Sequence, residues 1–319
     1  MNLQDRPARE VWILSNPRAG ARESAQTVDQ LESRLRVRSL QVTRFDNPQD
    51  LGEALKQARP CDVRAVVMAG GDGTANLVAQ LAPPDIPLIP LPLGTENLLA
   101  HYLGHRRCPE SIAAAVESGP VVRYDAGECN GQLFLLMVGC GFDAEVVKQV
   151  HGARRGHIHQ FTYLGPILHT IRNYRYPTLL VRYRDADLPG RPVRQWQGKW
   201  AFIVNLPRYA RGLTFVPHAS GTDGRLDLCL FRSGSLFKGL YYLSQVILGR
   251  HTRLSGCTLA SVESVIVEVA DGESETGVPW QFDGDPGGTL PIEVRVLPSR
   301  VSLIHPAGAS SPDERAGLR

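Results

Sequence analysis

Val66-Val67-Met68-Ala69-Gly70-Gly71-Asp72-Gly73-Thr74-Ala75-Asn76 is the stretch of sequence that decides the fold. The apolar run that ends at Ala69 predicts a buried strand, and the residues from Ala75 onward predict a helix. The join between them holds three glycines in four residues, so its backbone can adopt positive φ and approach a ligand closely. Such a loop before a helix N-terminus binds phosphate. The alternative is a tight strand-to-helix turn in which Asp72 caps the helix.

Length and composition indicate an ordinary globular protein. Its 319 residues exceed the usual size of one domain, so we expect two. The hydrophobic content of 43% is enough to form a core. A net charge of +3 does not indicate nucleic acid, and we expect no such partner. Arginines concentrate between Lys148 and Arg211, either as a solvated face or to attract anionic lipid or nucleotide phosphates.

Cysteine usage and hydropathy indicate where the protein acts. The six cysteines are scattered and form no CxxC pair, as expected in a reducing cytosol. The charged segment Met1–Glu10 lacks the apolar stretch of a signal peptide. No run of about 18 apolar residues is present, so we expect no membrane span. The expected location is cytoplasmic, with at most peripheral membrane association.

Strands alternate with helices through the first part of the chain, up to Gly119. This alternation predicts a parallel sheet covered on both faces by helices. Polar or glycine-rich turns at 16–20, 70–74 and 92–97 each follow a predicted strand. Ligands bind at the carboxyl ends of the strands in such sheets, so the three turns are expected to meet at one rim.

Beyond Gly119 strand-like segments dominate, among them Leu133–Val138 as one strand, and they indicate an antiparallel second domain. The fold class expected is therefore an α/β nucleotide-binding domain plus an antiparallel β-rich domain. The expected divisions are 1–124 for the α/β domain, 125–306 for a lipid or acceptor domain whose end can return to the first, and 307–319 for a flexible tail.

Two turns together carry a family resemblance. Gly70-Gly71-Asp72-Gly73-Thr74 followed by Pro92-Leu93-Gly94-Thr95-x-Asn97 resembles the diacylglycerol kinase catalytic-domain family, which includes bacterial lipid kinases, sphingosine kinases and ceramide kinases. The first turn alone is shared with NAD kinases and phosphofructokinases. The second turn, at this distance, favours the lipid kinases.

The resemblance implies ATP as phosphate donor and Mg²⁺ as its companion. Asp72 and Asp125 would hold Mg²⁺ through waters. Asp223, in a loop similar to the family's metal-associated Asp-Gly-x-Leu-Asp, is either a cation ligand or part of a plain turn. The implied nucleotide-binding residues are Asn16, Thr43, Gly70, Gly71, Asp72, Gly73, Thr74, Gly94, Thr95 and Asn97.

The resemblance also implies a catalytic base near the end of the chain. Gln281-x-Asp283-Gly284-Asp285 is similar to the family's terminal Asp-Gly-Glu, with aspartate in place of the proton-accepting glutamate. Asp285 is the first candidate for the base and Asp283 the second, with Asp72 as a further catalytic residue. A β-hairpin loop over residues 283–288 is the structural alternative. Leu77 and Leu98 also stand where the family has acidic residues.

The function expected from these features is an ATP-dependent lipid kinase that phosphorylates a diacylglycerol-like or sphingoid lipid at the membrane surface. The alternatives are a kinase of a soluble acceptor such as NAD, or a degenerate member that binds nucleotide or lipid with little turnover. Whether the chain forms a homodimer stays open. Apolar stripes at 161–171 and 236–248 are either core or membrane-contacting surfaces.

Overall fold

The computed structural model describes residues 8–15, 22–152, 174–188, 190, 192–209, 212–271 and 277–308. The chain forms two compact units, Met1–Tyr124 with Ser299–Arg319, and Asp125–Pro298. Three predicted features fall outside the described residues. They are the turn at 16–20 with Asn16, the apolar stripe at 161–171, and the tail from 309.

The first unit is a parallel sheet with helices. Its strands run in the order β2-β1-β3-β4, and the end of β15 lies beside β4, where Ser302 pairs with Pro87. The strands are β1 (Glu10–Ser15), β2 (Gln41–Phe45), β3 (Val63–Gly70), β4 (Pro87–Pro92) and β15 (Ile292–Ile304). The helices are α1 (Arg22–Val37), α2 (Pro48–Gln57), α3 (Asp72–Leu81), α4 (Leu98–Leu103) and α5 (Pro109–Ser118).

The core of this unit explains the apolar run that precedes Gly70. All eight residues of β3 are buried, as expected for a central parallel strand. On α1, Val28, Leu31 and Leu35 follow helical spacing and are buried in the same cluster as Ile13 and Val67. The predicted α/β class of this unit is confirmed.

The second unit is a largely antiparallel sheet in the order β14-β13-β7-β10-β11-β12-β15. A β8–β9 hairpin pairs with β12, and β6 pairs with β5. The strands are β5 (Val121–Cys129), β6 (Gln132–Phe134), β7 (Met137–Gly141), β8 (Leu179–Asp185), β9 (Val193–Gly198), β10 (Trp200–Val204), β11 (Leu226–Phe231), β12 (Cys257–Val269), β13 (Pro279–Phe282) and β14 (Asp285–Thr289). The helices are α6 (Phe142–Gly152) and α7 (Leu236–Ile247).

One predicted strand is two strands in the structure. The run Leu133–Val138 divides between β6 and β7 because the backbone N–H groups of residues 135–137 bond to a carboxylate, that of Asp283. By contrast, β15 continues unbroken through Pro298. Within the described residues, no helix combines the length and apolar character needed to cross a bilayer.

Replacement of Leu31 by alanine tests the packing of α1. Leu31 is fully buried, so the cavity left by Leu31→Ala should lower the free energy of unfolding by about 2–5 kcal/mol. Val37 in the same helix is 79% exposed, and Val37→Ala should change that free energy by less than about 0.5 kcal/mol. Urea denaturation followed by circular dichroism measures both. Equal effects of the two substitutions would contradict the assigned inner face of α1.

Candidate functional site

The two glycine-rich turns of the first unit are in direct backbone contact. Because β3 and β4 are parallel neighbours, their carboxyl ends lie at the same sheet edge, and Leu93 N–H donates to the Gly70 carbonyl at 3.0 Å. A Cβ atom on Gly94 would lie 2.5 Å from the Gly71 Cα. Since real Cβ atoms do not approach that closely, any larger residue at position 94 would force the turns apart.

Asn97 shapes the second turn from within. Its backbone adopts the left-handed conformation, with φ of 50°, and its side chain is buried. The Asn97 Oδ1 accepts from Gly94 N–H and its Nδ2 donates to the Gly94 carbonyl, both at 2.8 Å. These two bonds close the turn, so Asn97 acts here on the backbone of Gly94. Thr95, between them, is exposed.

Asp72 links the two turns. Asp72 is the first residue of α3, but its Oδ1 accepts from the N–H of Leu99, which lies in the first turn of α4, at 3.1 Å. Burial raises the pKa of Asp72, and the backbone N–H groups of Leu98 and Leu99 act in the opposite direction. The capping role expected from the sequence therefore concerns the next helix, α4, because the N-cap of α3, Gly71, carries no side-chain cap.

The start of α3 offers N–H groups to an anion. Thr74 N–H and Ala75 N–H donate to the Gly71 carbonyl at 3.0 and 3.1 Å. The N–H groups of Asp72 and Gly73 precede these and have no acceptor within a regular helix. The Thr74 side chain packs so closely on Gly70 that a Cβ there would collide with it. A glycine backbone at the start of a ten-residue helix is a suitable phosphate-binding element.

Thr43 is not placed with these turns. It lies in β2 opposite Trp12, and its hydroxyl donates to the Glu10 Oε1 at 2.8 Å. Glu10 pairs with Gln41 at the amino end of the strands, so the Thr43 hydroxyl is directed away from the edge where the glycine turns lie. The sequence resemblance alone suggested a nucleotide contact for Thr43, and the strand register gives that suggestion no support.

In the second unit, the candidate bases lie on a hairpin between β13 and β14. Phe282 pairs with Asp285, which leaves only Asp283 and Gly284 in the turn, with φ of 48° and 88°. Positive φ at both positions is the type I′ geometry that favours Asn/Asp-Gly. A hairpin is therefore present, but its loop is two residues long, and 285–289 form a strand.

Asp283 is fully engaged by the backbone. Its Oδ2 accepts from Leu135 N–H at 2.7 Å, and its Oδ1 accepts from Leu136 and Met137 N–H at 2.8 and 3.0 Å. The side chain is buried. A carboxylate that satisfies three buried donors has a structural role, whereas Asp285 is half-buried at the first position of β14. The geometry thus gives Asp283 a structural role in holding the backbone of residues 135–137.

A buried hydrogen-bond network supports the hairpin turn. Gly284 N–H donates to Gln281 Oε1 at 2.9 Å, and Gln281 Nε2 donates to Asp143 Oδ2 at 2.8 Å. Tyr209 donates its hydroxyl to Asp143 Oδ1 at 2.8 Å. Burial raises the pKa of Asp143 to about 6, although these two hydrogen bonds oppose the shift.

The sequence pattern predicts no role for Gln281, Asp143 or Tyr209. Gln281 interrupts the apolar run Val278–Phe282, and Asp143 directly follows Phe142, so both stand among apolar residues where a polar side chain needs a partner. Tyr209 offers no such signal. Its partner lies 66 residues away along the chain.

The predicted cation ligands of the second unit bond to backbone. Asp125 is buried, and its Oδ2 accepts from Gly224 N–H at 2.7 Å. Asp223 Oδ1 accepts from Arg225 N–H at 3.1 Å, and burial, followed by the charge of Asp125, raises the pKa of Asp223. Among the described residues, no group of three or more His, Cys, Asp or Glu side chains is arranged to hold a metal. These contacts favour a turn built on carboxylates over a protein-only cation cage.

Asp283→Ala and Asp285→Ala should differ in their effect on the free energy of unfolding. Loss of the Asp283 carboxylate leaves three buried N–H groups unsatisfied, so the free energy of unfolding should fall by about 3 kcal/mol or more. Asp285→Ala should lower it by less than about 1.5 kcal/mol, because that side chain is half-buried at the edge of a turn. Denaturant unfolding measures both. A larger loss for Asp285→Ala would contradict the assignment.

Asp227→Asn should raise stability in a pH-dependent way. Burial, then repulsion from Asp223 and Asp187, raises the pKa of Asp227 to about 6, partly opposed by Arg225. Because the folded state holds this proton more tightly than the unfolded state, stability is lost as pH rises from about 4 through about 6. The variant avoids this loss, so its free energy of unfolding should exceed that of the unmodified chain by roughly 1–2 kcal/mol near pH 7 and match it near pH 4.

Unfolding curves at both pH values, without divalent cations, measure that difference. Added Mg²⁺ or Ca²⁺ provides the control, because a cation bound by this loop would stabilise only the chain that keeps Asp227. An equal stability of both chains near pH 7 would contradict the repulsion inferred here.

Known protein families match the sequence of both units. The family model of the diacylglycerol kinase catalytic domain matches residues 10–129, and the model of the YegS C-terminal NAD kinase beta sandwich-like domain matches residues 136–305. A diacylglycerol kinase of Mycobacterium tuberculosis is 27% identical over 306 residues, covering 93% of this chain and 95% of that protein.

Solved structures show the same fold. A diacylglycerol kinase from Bacillus anthracis superposes with a TM-score of 0.69 at 19% identity, covering 97% of this chain and 99% of that one. Yeast NADH kinase complexed with NADH superposes with a TM-score of 0.54 at 11% identity, covering 98% and 87%. At such identities these two likenesses concern the fold alone.

The matched regions follow one another along the chain, and the second alone spans more than half of it. The resemblance first noted in two glycine turns is thus confirmed over nearly the whole sequence. The chain belongs to the diacylglycerol kinase catalytic-domain family, with a YegS-type β-sandwich as its second part.

Proposed function

We propose that the protein is an ATP-dependent lipid kinase that transfers the γ-phosphate to a hydroxyl of a diacylglycerol-like or sphingoid lipid. The observation that carries the proposal is the backbone contact between Gly71 and Gly94, which joins two turns beside the start of α3. Family membership supports the kinase reaction, and the name of the mycobacterial relative supports a lipid acceptor.

In this proposal the first unit binds the nucleotide. Phosphate oxygens accept from the N–H groups of Asp72 and Gly73, and the hydroxyls of Thr74 and Thr95 add donors. The close approach of Gly71 and Gly94 keeps side chains out of the space that the phosphates need. The backbone contact itself accounts for glycine at position 94.

The carboxylates present suit a Mg²⁺ ion that is held largely through water. Mg²⁺ keeps several waters and takes one or two carboxylates, so a cage of three acidic residues is not needed. Burial disfavours the charged form of Asp72, a cost that a nearby cation relieves. Asp72 and Asp125 are the residues proposed to hold the ion, which would neutralise charge on the phosphates.

Asp285 is proposed to take the proton of the acceptor. As the lipid hydroxyl oxygen bonds to the γ-phosphorus, the bond from that phosphorus to the ADP oxygen breaks, and the hydroxyl proton passes to the Asp285 carboxylate. The two-residue turn held by Asp283 and Gln281 fixes where β14 begins, and thereby the position of Asp285. An aspartate is one carbon–carbon bond shorter than the glutamate of the family pattern.

Two alternatives remain as outcomes of the test. A soluble acceptor such as NAD would use the same glycine turn, and the likeness to yeast NADH kinase is one of fold alone. A degenerate member with little turnover is suggested by Asp285 together with Leu77, which is exposed, and Leu98, which is buried.

Transfer of label from [γ-³³P]ATP to diacylglycerol, ceramide, sphingosine and NAD tests the proposal. Asp285→Asn should lower kcat by about 10²-fold or more with little change in the KM for ATP, because it removes the base and leaves the nucleotide site intact. Asp285→Glu should raise kcat if the shorter side chain limits the rate. Asp271→Asn, an exposed aspartate of the second unit, is the matched control.

Label in NAD and in none of the lipids would favour the soluble-acceptor enzyme. Binding of ATP by calorimetry without any labelled product would favour the degenerate member, unless Asp285→Glu restores transfer. A full rate in Asp285→Asn with a lipid acceptor would keep the kinase but remove Asp285 as its base.

A further inference from the structure

The outer face of α7 is apolar. Gly239, Tyr242 and Val246 are buried and repeat at helical spacing, so they form the inner face. A Cβ on Gly239 would lie 3.4 Å from the Trp200 ring, which indicates that the helix is closely packed on the sheet. The opposite face carries the exposed apolar side chains of Phe237, Leu240, Tyr241, Ile247 and Leu248, called here the α7 surface.

This arrangement departs from that of an ordinary surface helix, whose solvent side is polar. Phe237 is 81% exposed and Ile247 is 65% exposed. Positions 237, 240, 241, 247 and 248 occupy about one third of the helical circumference, on the side directly opposite the buried residues. An apolar stripe of this size, interrupted only by Ser244, whose hydroxyl donates to the Tyr241 carbonyl, indicates a surface that is covered by a partner.

The charges around the α7 surface indicate which partner. From Arg232 to Arg253 the sequence contains no aspartate or glutamate. Arg232 and Lys238 lie at the start of the helix, Arg250 and Arg253 follow its end, and all four side chains are exposed. Cations at both ends of an apolar stripe complement a bilayer that contains anionic lipids, where the stripe enters the interface and the basic groups meet phosphates.

The same charges disfavour a second copy of this chain as the occupant. A twofold pairing of the α7 surface would bring the basic ends of two helices together, without an acidic residue in the segment to pair with them. Tyr241 also suits a lipid interface, because its ring is apolar and its hydroxyl stays hydrated. Lys238 lies 5.9 Å from the centre of the Tyr241 ring, at the flank of the stripe.

We infer that the α7 surface, flanked by Arg232, Lys238, Arg250 and Arg253, is a docking surface for anionic lipid bilayers. The helix lies in the interface, its apolar face in the boundary between head groups and acyl chains. The inference rests on the proposed function in one respect, because a lipid acceptor resides in a bilayer. It goes beyond that function by assigning membrane contact to one helix.

Vesicle sedimentation without nucleotide tests the inference independently of catalysis. Full-length protein should bind vesicles containing phosphatidylglycerol more tightly than vesicles of phosphatidylcholine alone, and high salt should weaken the binding. The double variant Phe237→Ser/Ile247→Ser should lower the partition coefficient roughly 10- to 100-fold, since two apolar side chains no longer enter the interface. Arg250→Glu/Arg253→Glu should lower it by about 10-fold or more on the anionic vesicles only.

Val37→Ser/Val193→Ser is the matched control. These side chains are 79% and 67% exposed, like Phe237 and Ile247, but they lie outside the α7 surface. The control should bind vesicles as the unmodified chain does. All variants change exposed side chains, and circular dichroism with thermal unfolding checks that each is folded.

Catalysis supplies a separate readout. With a short-chain diacylglycerol dissolved as monomers, Phe237→Ser/Ile247→Ser should retain full transfer, while transfer to the same head group in vesicles should fall in parallel with binding. Vesicle binding that the double variant does not change would overturn the inference. So would a dimer, seen by light scattering, that the double variant converts to a monomer. Loss of vesicle binding in a protein that phosphorylates no lipid would support the surface and refute the kinase proposal.

Discussion

The contact between the Gly71 and Gly94 backbones is the constraint on which the site of the first unit depends. Two parallel strands end side by side, and the chain leaves each of them through a turn whose backbone has no room for a Cβ atom. Asn97 closes one turn upon itself, and Asp72 fastens the start of α4 to the start of α3. The result is a patch of main-chain N–H groups whose backbone is held by the polar side chains of Asn97 and Asp72.

The sequence predicts the elements around these turns, but not the hydrogen bonds that their polar side chains make. The buried run before Gly70 and the glycines after it determine a strand, a turn and a helix by local rules, and the parallel alternation places both turns at one edge. The same rules cannot say which partner a polar residue takes. Asn97 and Asp72 are expected at a nucleotide site, and the pattern gives no sign that each also bonds to the main chain of a neighbouring turn or helix.

The second unit shows the same limit for carboxylates that are close in sequence. Asp283 and Asp285 are two residues apart, yet the positive φ of Asp283 turns its side chain onto the three N–H groups that separate β6 from β7. That long-range contact also explains why an apolar run predicted as one strand is two. Local pattern gave no warning, because the partner lies about 147 residues away. Tyr209 and Asp143 meet under the hairpin for an equally non-local reason.

The return of the chain to the first unit at Ser299 has a consequence for biosynthesis. The last residues of β15 pair with β4 at the edge of the first unit's sheet. There the Ser302 hydroxyl donates to the Pro84 carbonyl at 2.6 Å, and Ile304 is fully buried in the core of the first unit. A ribosome therefore releases the residues that complete the amino-terminal sheet only after it has made the whole inserted β-sandwich. Polypeptides that stop short of this segment lack part of the core of the first unit, so premature termination yields an incomplete sheet rather than a separately folded first unit.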